Sequence, residues 1–277
     1  MSREELYIQY HGLFFSKEAH SVNSLKFAQE FSFENDVIAV TYPKSGTVWM
    51  APWLENNRLA MVVDKLKSPR VLVTHFPYHL MPRALSCICL SQAIYVMRNP
   101  KDIIVSFYYF HQMTGFWKIR EHLTTYLFFC SLQKKMNKTL WFNVLLLVVF
   151  GKWTDHVKSW KHNNLGDRIM FITYEEMKED LPAALRRISS FLGKNLSDET
   201  IHTIAEHCSF NAMKDNPMSN FSLVPKTYMD SDKSTFFRKG VVGDWKNHFT
   251  PEQLSRFTST INKEMEGESF SLPWSLD

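Results

Sequence analysis

Between Thr41 and Trp49 the chain reads TYPKSGTVW. Lys44, Ser45, Gly46 and Thr47 put an ammonium, two hydroxyls and a glycine into consecutive positions. At a strand-to-helix passage, such side chains join free backbone N–H groups to make a cradle for an anion. The run is not a Walker A loop, which has a glycine at its start and another directly before its lysine; here Lys44 precedes Gly46. Alone, it also fits an ordinary turn with a solvated lysine. A second group lies in Tyr95 to Ser106, YVMRNPKDIIVS, where Arg98 is followed about two helical turns later by Ser106. A guanidinium fork matches phosphate oxygens two at a time, although the same arginine could pair with a surface carboxylate. A third lies in Phe236 to Trp245, FFRKGVVGDW, where Arg238 and Lys239 form a basic tip and Gly240 lets backbone approach an anion. On its own that tip reads as a solvated turn. His75, in THFP, is an imidazole able to take a proton near neutral pH. His11, His79 and His111 compete with it and fit surface or packing roles.

These residues need elements to position them. Asp36 to Tyr42 (DVIAVTY), Arg70 to His75 (RVLVTH), Ala93 to Met97 (AIYVM) and Arg168 to Thr173 (RIMFIT) are short apolar, β-branched runs that predict buried strands. Helices are expected from Thr47, over Trp53 to Lys67 with Pro52 in its first turn, and from a cap at Asp102 through Phe110. Two more are expected over Leu181 to Leu192, with Pro182 in the first turn and Gly193 beyond the end, and over Asp198 to Cys208. Apolar strands alternating with helices predict an α/β fold with a central parallel sheet flanked by helices. Ligands of such sheets sit at the carboxyl ends of the strands, where Pro43, His75 and Arg98 all fall.

The composition sets bounds. A chain of 277 residues that is 45% hydrophobic suits a single large domain. A net charge of +4, from 32 basic and 28 acidic residues, is no nucleic-acid signature. Cys87, Cys89, Cys130 and Cys208 lack zinc spacing and read as reduced thiols, and no metal-ligand cluster is visible. The amino-terminal MSREELYIQYHG carries no apolar stretch that would make a secretory signal or anchor. Leu140 to Phe150, LWFNVLLLVVF, is nearly all apolar but well short of the roughly 20 residues of a membrane helix; it reads first as a buried helix or strand, with an interfacial or partner-binding segment and, last, a membrane span as the alternatives.

Taken together and in order, the three groups resemble the cofactor-binding segments of the cytosolic sulfotransferases. So do FITYEEMKE (Phe171 to Glu179), CSFNAMKDNPMSN (Cys208 to Asn220) and GDWKNHF (Gly243 to Phe249). SNFSLVP (Ser219 to Pro225) and the terminal Pro273-Trp274 look most like the alcohol- and hydroxysteroid-directed branch. The resemblance implies one α/β domain over residues 1–277, with a P-loop-like loop for the 5′-phosphosulfate. It implies sulfuryl transfer from 3′-phosphoadenosine 5′-phosphosulfate (PAPS), without a metal, to a hydroxyl of a small lipophilic acceptor, in the cytoplasm and with no membrane span. By resemblance, Lys44, Ser45, Gly46, Thr47 and Val48 hold the 5′-phosphosulfate. Trp49 and Phe210 sandwich the adenine, and Tyr174 meets its edge. Arg98, Ser106, Arg238, Lys239 and Gly240 take the 3′-phosphate. Cys208, Met213 and Phe236 complete the nucleotide site, His75 is the general base, and Lys44 stabilises developing charge.

The chain also departs from that pattern. Relatives carry a helix and an acceptor-lining loop between T-x-W and P-W-L-E, but here Trp49-Met50 runs directly into Ala51-Pro52-Trp53, roughly two dozen residues short. Lys118 to Phe150 resembles nothing in the family, and the pattern resumes at Gly151, Trp153 and His156. A catalytically impaired nucleotide-binding paralogue, or an aberrant splice product, is therefore the alternative expectation. Val73 stands where phenol-directed relatives have Lys, and Val48 and Cys208 replace hydrogen-bonding residues common in the family. The family's K-x-x-x-T-V-x-x-x-E dimer motif keeps Lys246 and Thr250 but has Pro251 and Ser255, so a homodimer would use an altered motif.

Overall fold

A computed structural model describes residues 7–46, 63, 65–87, 90–114 and 150–275. The expected helices from Thr47 and over Trp53 to Lys67, the junction at 50/51 and almost all of 118–150 fall outside the described residues. So do Cys89 and Cys130.

The chain opens with a hairpin that the sequence reading did not anticipate. Strand β1 (Tyr7–Tyr10) pairs antiparallel with β2 (Leu13–Ser16), and Tyr7 lies opposite Ser16. Helix α1 (Val22–Glu30) follows, closed by a capping box between Ser21 and Ser24. The four apolar runs form the expected strands, β3 (Val37–Thr41), β4 (Val71–Thr74), β5 (Gln92–Met97) and, later, β6 (Ile169–Thr173). They make one parallel sheet in the order β4-β3-β5-β6. The order in which strands are added reverses at β3, with β4 on one side and β5 on the other, so the switch point of the sheet lies between the carboxyl ends of β3 and β5.

Helix α2 (Arg83–Cys87) precedes β5, and α3 (Pro100–Met113) follows it. The cap of α3 is Asn99, not the expected Asp102. The Asn99 side chain accepts from Lys101 N–H, and Pro100 occupies the first helical position, where a missing N–H costs nothing. Helix α4 (Trp153–Lys161) buries Trp153, His156, Val157 and Trp160, an i, i+3, i+4, i+7 stripe against the sheet. Beyond β6 come α5 (Tyr174–Glu179), α6 (Leu181–Phe191), α7 (Asp198–His207), α8 (Phe210–Asp215), α9 (Pro217–Asn220) and α10 (Pro251–Met265). The α6 and α7 spans match expectation, and Asp180 caps α6 with Pro182 in its first turn.

Period-2 alternation divides β5 between two cores. Ala93, Tyr95 and Met97 face the larger core with α3 and α4. Ile94 and Val96 face a smaller one that includes Ile172 and Ala184, with Ile188 and Phe191 of α6 packed against it. Helices thus cover both faces, and the chemistry is left to the strand ends. Among the described residues, no helix is long and apolar enough to cross a membrane.

Candidate active site

Each parallel strand delivers one expected residue at its carboxyl end. Lys44 follows β3, His75 follows β4, Arg98 follows β5 and Tyr174 follows β6. The β3 turn is closed by Ser45 N–H donating to Tyr42 C=O at 3.2 Å. It places Lys44 at φ +69° and Gly46 at φ +102°. A Cβ on Gly46 would stand 2.9 Å from Tyr174 Cδ2, so only glycine lets the loop lie against that ring. Arg98 closes the switch point from the β5 side. Its Nη1 donates to Lys44 C=O at 2.9 Å, and its guanidinium stacks 4.2 Å over Tyr174.

The Lys44 side chain is half-buried, with its ammonium held between two rings. It stands 4.2 Å from the ring centroids of both Phe110 and Phe236. Burial, and secondly the Arg98 charge, pull its pKa down to about 7. Among the described residues no carboxylate pairs with it. Ser45 Oγ and Arg98 Nε are buried without a hydrogen-bond partner. Two buried polar atoms are therefore left unsatisfied beside an ammonium that has no carboxylate, although buried polar groups are nearly always satisfied. An anion with several oxygens meets that need, so the residues present fit a phosphate- or sulfate-bearing group.

The basic tip is arranged differently. Asp244 gathers Arg238 Nη2 at 2.5 Å, Lys239 Nζ at 2.7 Å, Asn247 Nδ2 at 3.0 Å and His248 Nε2 at 3.2 Å. Burial would raise the Asp244 pKa, but the hydrogen bonds from Lys239, Arg238 and Asn247 outweigh it and hold the carboxyl well below its ordinary range. Arg238 also stacks 4.4 Å over Tyr109. Asp102 accepts from Gly243 N–H at 2.7 Å and Trp245 N–H at 3.0 Å, fastening the loop to α3. Ser106 is half-buried and lies one turn from both Asp102 and Tyr109, on the α3 face that meets this loop. Gly240, at φ +64°, passes so close to Phe210 that a Cβ would meet its Cδ2 at 2.1 Å. Phe210 packs edge-on to Phe237, Met213 is buried in α8, and Cys208 is a partly buried free thiol that closes α7. Thr47, Val48 and Trp49 lie outside the described residues.

His75 is buried just past β4. Its Nδ1 donates to Thr41 C=O at 2.8 Å, which leaves Nε2 as the basic nitrogen. Burial draws its pKa down to about 4; the Thr41 hydrogen bond opposes this, and His20 and Lys44 add to it. It is therefore a neutral imidazole at ordinary pH. His20, His111 and His156 are buried too, which fits the packing role expected of His111. The sequence reading missed Asp244 and Phe110, and gave Asp102 the wrong role. A carboxylate six residues past Arg238 was the available signal for the first; the other two depend on contacts distant in sequence.

A parallel sheet with a cation cradle at its switch point, a second cationic turn and a neutral imidazole nearby defines an enzyme that handles an anionic group. Comparison with known proteins narrows this. The family model described as a sulfotransferase domain matches residues 51–269. Mouse sulfotransferase 2B1 is 35% identical over 294 residues, covering 97% of this chain and 82% of its own length. The guinea-pig (Cavia porcellus) 3-beta-hydroxysteroid sulfotransferase is 35% identical over 266 residues, covering 87% and 88%. The crystal structure of mouse sulfotransferase SULT7A1 complexed with PAP superposes with a TM-score of 0.75 at 30% identity, over 95% of this chain and 96% of that one. This chain belongs to the sulfotransferase family and is a transferase enzyme.

Proposed function

We propose that the chain moves a sulfuryl group from PAPS onto a hydroxyl of a small lipophilic acceptor: a steroid, an alcohol or a phenol. The observation that carries this reading is the meeting of the unsatisfied Ser45 Oγ and Arg98 Nε with Lys44, which has no carboxylate among the described residues, at the switch point of the sheet. The names of the relatives, a hydroxysteroid sulfotransferase and a sulfotransferase complexed with PAP, agree with it. Lys44, Ser45 and Gly46, with Thr47 and Val48, would hold the 5′-phosphosulfate. Arg98, Ser106, Arg238, Lys239 and Gly240 would hold the 3′-phosphate. Phe210 and Trp49 would flank the adenine, with Tyr174, Cys208, Met213 and Phe236 around it. PAPS supplies the sulfuryl group. His75 Nε2 receives the proton of the acceptor hydroxyl, and Lys44 offsets the negative charge that grows on the phosphate side.

Turnover with radiolabelled PAPS against a panel of sterols, phenols and aliphatic alcohols tests the reading. His75→Ala should lower it by roughly 10²–10⁴-fold and leave the affinity for adenosine 3′,5′-bisphosphate unchanged. Wild-type turnover in that variant would remove His75 as the base. A second reading, a nucleotide-binding relative impaired in transfer, has one observation in its favour. The alignment with mouse sulfotransferase 2B1 spans 294 residues, more than the 277 of this chain, so this chain is shorter than that relative somewhere within the aligned span. Tight bisphosphate binding with no transfer to any acceptor would select it.

A further inference from the structure

The base is held from two sides. Its ring is tied to β3 through Nδ1–H and Thr41 C=O, and its ring edge meets Phe150 at 5.3 Å. Its backbone lies in an irregular stretch, residues 75–77, between β4 and a single 3₁₀ turn (Tyr78–Leu80). That stretch lies beyond the last residue of β4, and Phe76 N–H turns back to donate to Thr74 Oγ1 at 3.1 Å. Helix α4 supports its carbonyls. His156 Nε2 lies 3.1 Å from His75 C=O, and Trp160 Nε1 donates to Phe76 C=O at 2.9 Å. These two residues are four apart, so one helix face grips two successive carbonyls.

A carbonyl only accepts, so the proton of His156 must sit on Nε2. Nδ1 is then a bare acceptor in a side chain that is 1% exposed, and it needs a donor. Tyr95 O–H, on β5, is 2.8 Å away and supplies one. Tyr95 is itself 1% exposed, packed between the rings of Trp160 and Phe171.

We infer that Tyr95 and His156 form a positioning pair for the reacting histidine. The Tyr95 hydroxyl fixes the His156 tautomer, and that tautomer fixes the His75 backbone and so the aim of its Nε2. If the Tyr95 hydroxyl is removed, the alternative tautomer becomes accessible. It would turn the lone pair of His156 Nε2 toward the carbonyl of His75, repelling the segment that carries the base. The contact through which the pair acts is the one from His156 Nε2 to the His75 carbonyl. The inference therefore rests on the reading of His75 as the base.

The test is Tyr95→Phe, which removes one hydroxyl from a ring that keeps its packing. With PAPS and a turned-over acceptor, kcat should fall by about tenfold to a hundredfold through misaim. Acceptor KM and bisphosphate affinity should stay within about twofold, well inside a tenfold step. His156→Gln, which keeps a donor for the His75 carbonyl, should retain much more kcat than His156→Leu. Unchanged kcat in Tyr95→Phe would overturn the pair, as would Gln and Leu variants of equal activity. A fall in kcat matched by an equal loss of nucleotide affinity would do the same. Nitrogen-15 spectra of the histidines read the tautomer without any turnover. The Nε2–H form of His156 should dominate in the native protein and give way to a mixture in Tyr95→Phe. In a His75→Ala background, Tyr95→Phe should add no further loss. If His75→Ala is fully active while the nitrogen spectra change as expected, the base assignment fails and the tautomer lock stands.

Discussion

The two cationic ends of the candidate nucleotide site are built on opposite plans. At the basic tip, Arg238 and Lys239 rest on Asp244 before any ligand arrives, so their charges are ordered and already paired. At the switch point, Lys44 has no carboxylate among the described residues and stands between two aromatic faces with its pKa drawn down to about 7. A paired cation is a good recognition device because its side chain is already held in place. An unpaired, desolvated one acts strongly on charge that appears beside it, since little water screens the field. The division suits recognition at the tip and chemistry at the loop.

The largest effect should come from breaking the loop end. Lys44→Met should lower transfer on the order of 10²–10³-fold, the scale for losing one preorganised stabilising donor. It should leave the preference for adenosine 3′,5′-bisphosphate over AMP intact, as measured by calorimetry. Near-normal transfer would show that Lys44 is merely parked. The reverse pattern belongs to the tip. The double variant Arg238→Ala, Lys239→Ala should cut that preference by about tenfold or more, each charge-assisted hydrogen bond contributing roughly 1.5–3 kcal/mol. Turnover at saturating PAPS should change much less, and equal affinity for both nucleotides in the native protein would end the assignment of the tip to the 3′-phosphate. The smallest effect is in pH. Lys44 is charged below about 7 in the free protein and loses its proton above that value. Bisphosphate affinity should therefore decline as pH rises through the region just above 7, by at most tenfold per pH unit for one proton. Lys44→Arg should flatten that limb, and a decline that persists in Lys44→Arg would assign it to another group.

Much of this was legible in the sequence because strand ends are legible. Short β-branched runs have one plausible state, and Lys44, His75 and Arg98 follow such runs directly, so their convergence follows from a parallel sheet. Asp102 shows where the logic stops. Its position after Asn-Pro looks like a helix cap, yet its carboxylate serves amides 141 and 143 residues away in the chain. Local propensity identifies a residue that can cap and says nothing of a competing distant donor, and Asn99 took the cap instead. The aromatic slot around Lys44 was hidden for the same reason, since Phe110 and Phe236 come from distant segments. The hairpin at Tyr7–Ser16 was missed because its residues show no clean alternation and its packing against the core depends on segments distant in sequence.

The grip of Asp102 on Gly243 and Trp245 also sets a clock. The stretch between Phe221 and Asp244 holds no helix or strand of its own, and most of its residues are exposed. Gly243 and Trp245 are instead bonded to a carboxylate that is 2% exposed and rooted in α3. In deuterated solvent their amides can exchange only when α3 and the loop part company, so two isolated slow protons report the lifetime of the contact that keeps the tip beside the sheet.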